Sequence, residues 1–294
     1  MRSLAAWLAC VATAVILPLP STAQTSDDAE AYLGDGHVDP GEDEAGELAR
    51  AVQNPVADLI SVPFQNNTNF EFGPKEKTFN RLNIQPVIPF SIGEDWQVIS
   101  RTILPIVSQP QLLPGQSRET GLGDTTITAF LSPKAPVFSG KLIWGAGPVV
   151  LIPTASDDRL GADRWGLGPS VVLLTMQGPW VAGSLFSQVW GTGGSGNKYS
   201  SNVSVFTWQY FVNYNLPGGL YLTSSPLITA NWKAQRSSDT WTVPFGGGVG
   251  RIFRLGENLP PINASIQAFY NVARPKVAGR WDLRAQIQLL FPRR

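Results

Sequence analysis

Several kinds of residue are scarce in this 294-residue chain, and each scarcity excludes a class of chemistry. The sequence holds a single cysteine, Cys10, and a single histidine, His37. Cys10 lies in an apolar N-terminal stretch that reads as a signal peptide, so we expect the exported chain to have no disulfide and no thiol chemistry. His37 lies in an acidic segment near the N-terminus. We therefore predict no Ser-His-Asp triad and no histidine-based metal site in the rest of the chain, no cofactor, and no enzymatic activity.

Charge and long hydrophobic runs are scarce too. Charged residues make up 15% of the chain, against a usual quarter, and beyond residue 23 no apolar run is long enough for a membrane helix. Basic residues interleaved with aromatic ones, as nucleic-acid binding needs, are also missing, so no nucleic-acid partner is predicted.

The N-terminus is predicted to carry an export signal followed by an acidic tail. Arg2 and the apolar stretch from Leu4 to Leu19 precede Ser21-Thr22-Ala23, so residues 1–23 form the predicted signal peptide. Residues 24–53 follow as a predicted disordered periplasmic tail, with nine acidic residues and no basic one between Asp27 and Glu47. An alternative is that this acidic segment is a plug inside a basic pore.

From about Ile60 to Phe291, polar and apolar residues alternate in segments that are broken by Gly, Pro, Asn and Asp. In the last segment Trp281, Leu283 and Ile287 share one parity, and Asp282 and Arg284 share the other. Period 2 is the signature of a β-strand with two unlike faces. We count twelve such segments, beginning near Ile60, Phe79, Trp96, Asp124, Lys141, Arg164, Trp180, Asn202, Leu220, Thr240, Ile262 and Trp281.

The connections between the segments alternate between tight turns and longer polar loops. This alternation, together with an even strand count, is typical of a bacterial outer-membrane barrel with short periplasmic turns. The sequence therefore predicts an all-β fold, a transmembrane antiparallel up-and-down β-barrel of about twelve strands over residues 54–294. A water-soluble β-sandwich is the competing interpretation, since alternation serves that fold as well.

The two parities of a barrel strand predict two sets of residues. Charged side chains avoid hydrocarbon, so the polar parity is expected to line the lumen, with Arg81, Gln85, Arg101, Gln209, Gln267, Asp282, Arg284 and Gln286. Tryptophan prefers the membrane–water interface, and the residues that fall beside turns and loops are Trp96, Trp165, Trp180, Trp190, Trp232, Trp241 and Trp281. These seven are predicted to form two girdles in contact with outer-membrane lipids.

Several segments resemble a bacterial family of outer-membrane transporters that is linked to the meta-pathway of phenol degradation and whose members are sometimes mislabelled neuromedin U. The resemblance rests on residues 54–67, Leu82-Asn-Ile-Gln-Pro-Val-Ile-Pro-Phe, Gly121-Leu-Gly-Asp, Tyr221-Leu-Thr-Ser-Ser-Pro and Trp241-Thr-Val-Pro. It implies a location in the outer membrane of a Gram-negative cell, insertion by the barrel-assembly machinery, and uptake of small solutes, including aromatic compounds. A receptor or structural barrel with a filled lumen is the alternative, and a barrel enzyme is a further one.

Overall fold

The computed structural model describes residues 40–193, 203–256 and 259–292, and side chains from Glu44 onward. The predicted signal peptide, residues 24–39 and His37 lie outside the described residues. No helix in the described ranges is long and apolar enough to cross a membrane. In chain order the elements are α1 (Pro40–Val52), β1 (Leu59–Phe72), β2 (Lys77–Ile84), β3 (Val87–Ile92), β4 (Trp96–Gln109), β5 (Glu119–Leu122), β6 (Thr125–Pro133), β7 (Ile143–Ile152), β8 (Trp165–Gln177), β9 (Trp180–Gly193), β10 (Ser204–Asn215), β11 (Leu220–Ser224), β12 (Leu227–Asn231), β13 (Trp241–Phe253), β14 (Ile262–Ala273) and β15 (Trp281–Pro292).

The strands form one closed antiparallel sheet. Each strand pairs with the next one along the chain, except that β2 does not pair with β3, β5 with β6, or β11 with β12. Because β15 pairs with β1 and β9 pairs with β10, the described strands leave no open edge. Three of the strands that cross the wall are interrupted, and each consists of two short strands in line. These are β2 and β3, β5 and β6, and β11 and β12. Counting each pair as one gives the twelve membrane-length strands that the sequence predicts. Closure satisfies every strand edge internally, as hydrocarbon surroundings require.

Two of the three interrupted strands break at proline. Pro86 separates β2 from β3 and Pro226 separates β11 from β12. Proline has no backbone N–H to donate to the ladder, so each break falls where a ladder bond is lost. Between the halves of the first strand, the N–H of Gln85 still donates to the carbonyl of Pro63 at 2.9 Å, so the wall stays joined.

Direct cross-strand neighbours define the inner face of the barrel. Asn67 of β1 is opposite Arg81 of β2 on one side and Arg284 of β15 on the other, and Arg284 is opposite Gln267 of β14. Opposed residues of antiparallel strands point to the same face, so these four form one inward row. The outer face carries mostly large apolar side chains, such as Phe90, Phe245 and Ile287, which are exposed.

A small polar cluster interrupts the apolar outer face on β1 and β2. Asn66 and Thr68 lie on the same face of β1 as the exposed Phe64 and Phe70. Asn66 and Asn80 exchange two side-chain hydrogen bonds of 3.1 and 2.9 Å, and Thr68 donates to Asn66 at 3.0 Å. An unpaired amide in lipid is costly, and these mutual bonds remove most of that cost.

Of the predicted disordered tail, residues 24–53, the structure describes residues 40–53, and these are ordered. Residues Pro40–Val52 form α1, and the buried side chains of Ala45, Leu48 and Ala49 pack against the inner wall of the barrel. Proline is well suited to the first turn of a helix, and Arg50 in the last turn complements the helix dipole. This part of the segment is ordered because it has an apolar stripe to bury.

Candidate functional site: the barrel lumen

The lumen contains a cavity of about 180 Å³, called here the lumen cavity. A space of that size holds on the order of ten water molecules. Uncharged amides and hydroxyls make up most of its polar lining, and Arg101 and Arg284 are the only charged residues among the described ones that line it. The polar residues are Gln53, Asn54, Ser61, Gln65, Gln85, Arg101, Gln209, Asn213, Tyr221, Thr223, Ser225, Asn263, Ser265, Gln267, Arg284, Gln286 and Gln288.

Six of the eight residues predicted to line the lumen surround this cavity together. They are Gln85, Arg101, Gln209, Gln267, Arg284 and Gln286. They come from five different strands or strand junctions, so the closed sheet, and not sequence proximity, brings them together.

The other two predicted residues, Arg81 and Asp282, do not border the lumen cavity. The Arg81 guanidinium lies over the Phe79 ring, 5.4 Å from its centroid, and is exposed to the open space inside the barrel. The Asp282 carboxylate accepts hydrogen bonds from Asn69 and from Asn271, the latter at 3.0 Å. The structure thus places Arg81 as an accessible cation and Asp282 as a bonded acceptor.

The two cavity arginines are held by uncharged partners. Arg101 Nη2 donates to Gln85 Oε1 at 2.7 Å. Arg284 Nη1 donates to the Ser225 carbonyl at 2.7 Å, and its Nε donates to Asn67 Oδ1 at 3.1 Å. Among the described residues, no carboxylate oxygen lies within 4.0 Å of a guanidinium nitrogen of either arginine.

One end of the barrel, where the tight turns lie, is covered from inside by residues 40–58, called here the N-terminal plug. On one side of the mouth, α1 packs on Tyr221, Ile252 and Leu290 of the barrel wall. On the other side, Val56 is 1% exposed and lies in a cluster of lumen-facing apolar residues. That cluster contains Ile99, Phe130, Val172, Leu174, Val181, Leu185 and Phe211. The plug therefore spans the mouth from wall to wall.

Hydrogen bonds and one ion pair fix the N-terminal plug to the wall. Gln53 and Asn215 exchange two side-chain amide bonds of 2.8 and 3.1 Å, and Gln97 Nε2 donates to the Val56 carbonyl at 3.0 Å. Arg50 donates to the Gly178 carbonyl in a tight turn, and Glu44 pairs with Arg254. Opposite charge would predict a plug of the acidic segment in a basic pore, but the described contacts are mainly apolar packing and neutral hydrogen bonds.

The sequence of α1 has the residue spacing of an amphipathic helix, which the composition of the segment does not reveal. Ala45, Leu48, Ala49 and Val52 follow the i, i+3, i+4, i+7 spacing of an apolar helix face. Most residues of this stripe are small. The average composition of residues 24–53 is therefore set by the acidic residues upstream, and composition alone predicts disorder.

At the long-loop end, the loop after β7 folds inward over the lumen. Leu160 of this loop is buried against Phe79 and Val107 on the inner wall. Asp124 holds the loop by accepting the N–H of Ala162 at 2.6 Å and that of Ala155 at 3.3 Å. Apolar contacts therefore narrow the lumen at this end as well.

The seven predicted girdle tryptophans are exposed on the outer face and lie near strand ends. Trp96 and Trp180 begin β4 and β9 directly after tight turns, at the plugged end. The other five lie at the long-loop end, where Trp232 and Trp241 make an edge-to-face contact with ring centroids 5.5 Å apart. Because tryptophan prefers a membrane–water interface, this placement is compatible with the two girdles, which stay a prediction.

A metal site is not formed in the described part of the chain, where no three His, Cys, Asp or Glu residues are grouped to hold an ion. Asp157 instead pairs with Arg159 at 2.9 Å, and Glu119 pairs with the same guanidinium. These two carboxylates raise the pKa of Arg159 in its loop.

A family described as "Putative MetA-pathway of phenol degradation" matches residues 77–281, more than two thirds of the chain. The chain belongs to this family. The match confirms the resemblance seen in the sequence. A comparison with curated proteins found no match.

Solved structures similar to this chain are outer-membrane barrels. An outer membrane channel of Pseudomonas putida F1 is 17% identical, with 79% of this chain and 94% of that one covered and a TM-score of 0.60. The NanC porin is 10% identical over 80% of this chain and all of that one, with a TM-score of 0.49. The predicted fold, a transmembrane antiparallel up-and-down β-barrel of about twelve strands, is confirmed.

One sequence-based prediction needs correction. The scarcity of cysteine and histidine predicts that the protein is not an enzyme. The similar structures include the outer membrane phospholipase of Salmonella typhi, an enzyme, which is 14% identical over 83% of this chain and 98% of that one, with a TM-score of 0.42. The barrels that this chain resembles therefore include an enzyme, and that prediction is contradicted.

Proposed function

We propose that the protein is an outer-membrane pore for small solutes, aromatic ones among them, and that the N-terminal plug closes its periplasmic mouth. The observation that carries this proposal is the lumen cavity, a space lined by polar side chains inside an outwardly apolar barrel. The family description adds a link to phenol degradation, and this link supports aromatic compounds as solutes.

The lumen cavity is suited to the passage of a solute through the barrel. A barrel whose interior serves stability alone is filled by side chains, as in the eight-stranded barrels. Here twelve strands leave space in the middle, and the residues around it are amides and hydroxyls that can exchange hydrogen bonds with a passing solute or with water. At the tight-turn end this space is covered by the plug, which packs on apolar side chains of the wall.

Planar-bilayer conductance with two truncations tests the proposal. One variant lacks residues 24–57, which removes α1 and Val56, and its matched control lacks only residues 24–39, which leaves all described plug contacts in place. We expect a several-fold larger single-channel conductance for the first variant and the conductance of the whole exported chain for the second. Folding of the variants is checked by the heat-modifiable band, the shift in gel mobility between the unheated, folded barrel and the boiled chain. The proposal fails if the first variant is folded by this criterion and carries no ions.

Solute range is tested in liposomes that contain the variant lacking residues 24–57. We expect faster swelling than in empty liposomes with benzoate and other small charged aromatic compounds, which cross a bare bilayer slowly, and much slower swelling with large sugars. Equal rates with empty liposomes for every solute would favour the alternative, a receptor barrel with a filled lumen.

A further inference from the structure

We propose that Arg101 and Arg284 form a binding site in the lumen cavity for the carboxylate of a small organic anion. The inference rests on the proposed function, since it names the class of solute that the pore would favour. Both side chains border the same cavity and interact with each other electrostatically.

Each of the two guanidinium groups has N–H donors that bind no acceptor among the described residues. A guanidinium offers five N–H donors and no acceptor. Arg101 uses Nη2 towards Gln85, and Arg284 uses Nε and Nη1 towards Asn67 and Ser225. Nε and Nη1 of Arg101 and Nη2 of Arg284 have no acceptor among the described residues, and none of these atoms is among the buried polar atoms without a partner. The remaining donors are therefore accessible from the cavity.

The charge of the two arginines is not balanced by the nearby acid. Arg284 is buried, at 8% exposure, and the acid that it interacts with electrostatically is Asp282. Asp282 lies outside the 4.0 Å range of an ion pair and is already bonded to Asn69 and Asn271. Enclosed charges are normally paired, and two like charges around one cavity are unfavourable until an anion enters.

The geometry and the lining favour a carboxylate with a compact apolar body. Guanidinium groups present planar forks that match a carboxylate with two parallel hydrogen bonds. Leu185 and Phe211, both buried, border the same cavity and can pack against an apolar or aromatic ring. Sodium benzoate is therefore a suitable probe, and benzyl alcohol is its uncharged counterpart.

Binding to the whole exported chain in detergent, measured by titration calorimetry, tests the site without any need for conductance. We expect benzoate to bind the wild type, and Arg101→Gln and Arg284→Gln each to weaken binding by about tenfold or more, since each removes charge-assisted hydrogen bonds. The matched control is Arg251→Gln, which removes an exposed arginine from the outer face of β13 and should leave binding unchanged. Arg101→Lys keeps the charge but loses the fork, so an intermediate affinity is expected.

Two results would overturn the inference. One is benzyl alcohol binding the wild type as tightly as benzoate, a comparison that needs no variant and so does not depend on variant folding. The other is Arg101→Gln or Arg284→Gln, shown to be folded by its heat-modifiable band, binding benzoate like the wild type. Benzoate binding without conductance would contradict the pore and leave the site standing, whereas conductance without benzoate binding would do the reverse.

Discussion

Replacing Ala49 by glutamate should open the periplasmic mouth of the barrel. Ala49 is 1% exposed in the last turn of α1 and packs against the wall with Leu48 and Ala45. Apolar burial of these three side chains contributes roughly 3–5 kcal/mol in total. An unpaired carboxylate at the same place costs several kcal/mol, and the longer side chain adds about 1–3 kcal/mol of overpacking. The penalty thus matches or exceeds the gain, so α1 should leave the wall.

The assay is single-channel conductance in planar bilayers, where Ala49→Glu should give larger and more frequent openings than the wild type. Gly46→Glu is the matched control, because it adds the same charge to the same helix at a position where a Cβ meets no atom within 4 Å. Equal conductance for Ala49→Glu and Gly46→Glu would refute the idea that buried contacts of α1 keep the mouth shut.

Three further predictions concern the barrel itself. Phe130→Ala removes a side chain that Val56 packs on, so the unfolding free energy in detergent should fall by about 3–5 kcal/mol in a urea titration, and an unchanged midpoint would contradict this packing. Gly168→Ala places a Cβ on the Gln188 carbonyl of the neighbouring strand, so the heat-modifiable band should be lost, whereas Gly178→Asn in an open turn should keep it. Trp180→Ala removes an exposed girdle residue at the plugged end, so the variant should insert into liposomes less efficiently but retain its conductance, and loss of conductance would assign Trp180 to the lumen instead.

The strand order and the two faces of the wall could be predicted from the sequence because a barrel strand is a local pattern. Alternation over ten or more residues in β1, β4 and β15 indicates both that the segment is a strand and which of its faces meets lipid. In an up-and-down barrel each strand lies beside the next one along the chain, so the strand order follows from the sequence order. Both proline breaks, at Pro86 and Pro226, also fall where a missing N–H interrupts the ladder.

The site was less predictable because it depends on contacts between distant segments. Parity indicates that Arg101 and Arg284 face inward, but not that they share one cavity while Arg81 lies elsewhere in the barrel. The order of α1 was missed for the same reason, since its small apolar stripe gains stability only against a wall formed more than 150 residues later, at Tyr221, Ile252 and Leu290.

Period-2 exposure of β15 to lipid is the most direct test of the account. The chain beyond its predicted signal peptide has no cysteine, so single cysteines at positions 283–289 can carry spin labels in liposomes without background. We predict that labels at 283, 285, 287 and 289 are accessible to oxygen dissolved in the bilayer, and that labels at 284, 286 and 288 are shielded from it. Uniform accessibility along the strand, or lipid contact at the positions of Arg284, Gln286 and Gln288, would contradict a barrel with an apolar exterior and a polar lumen.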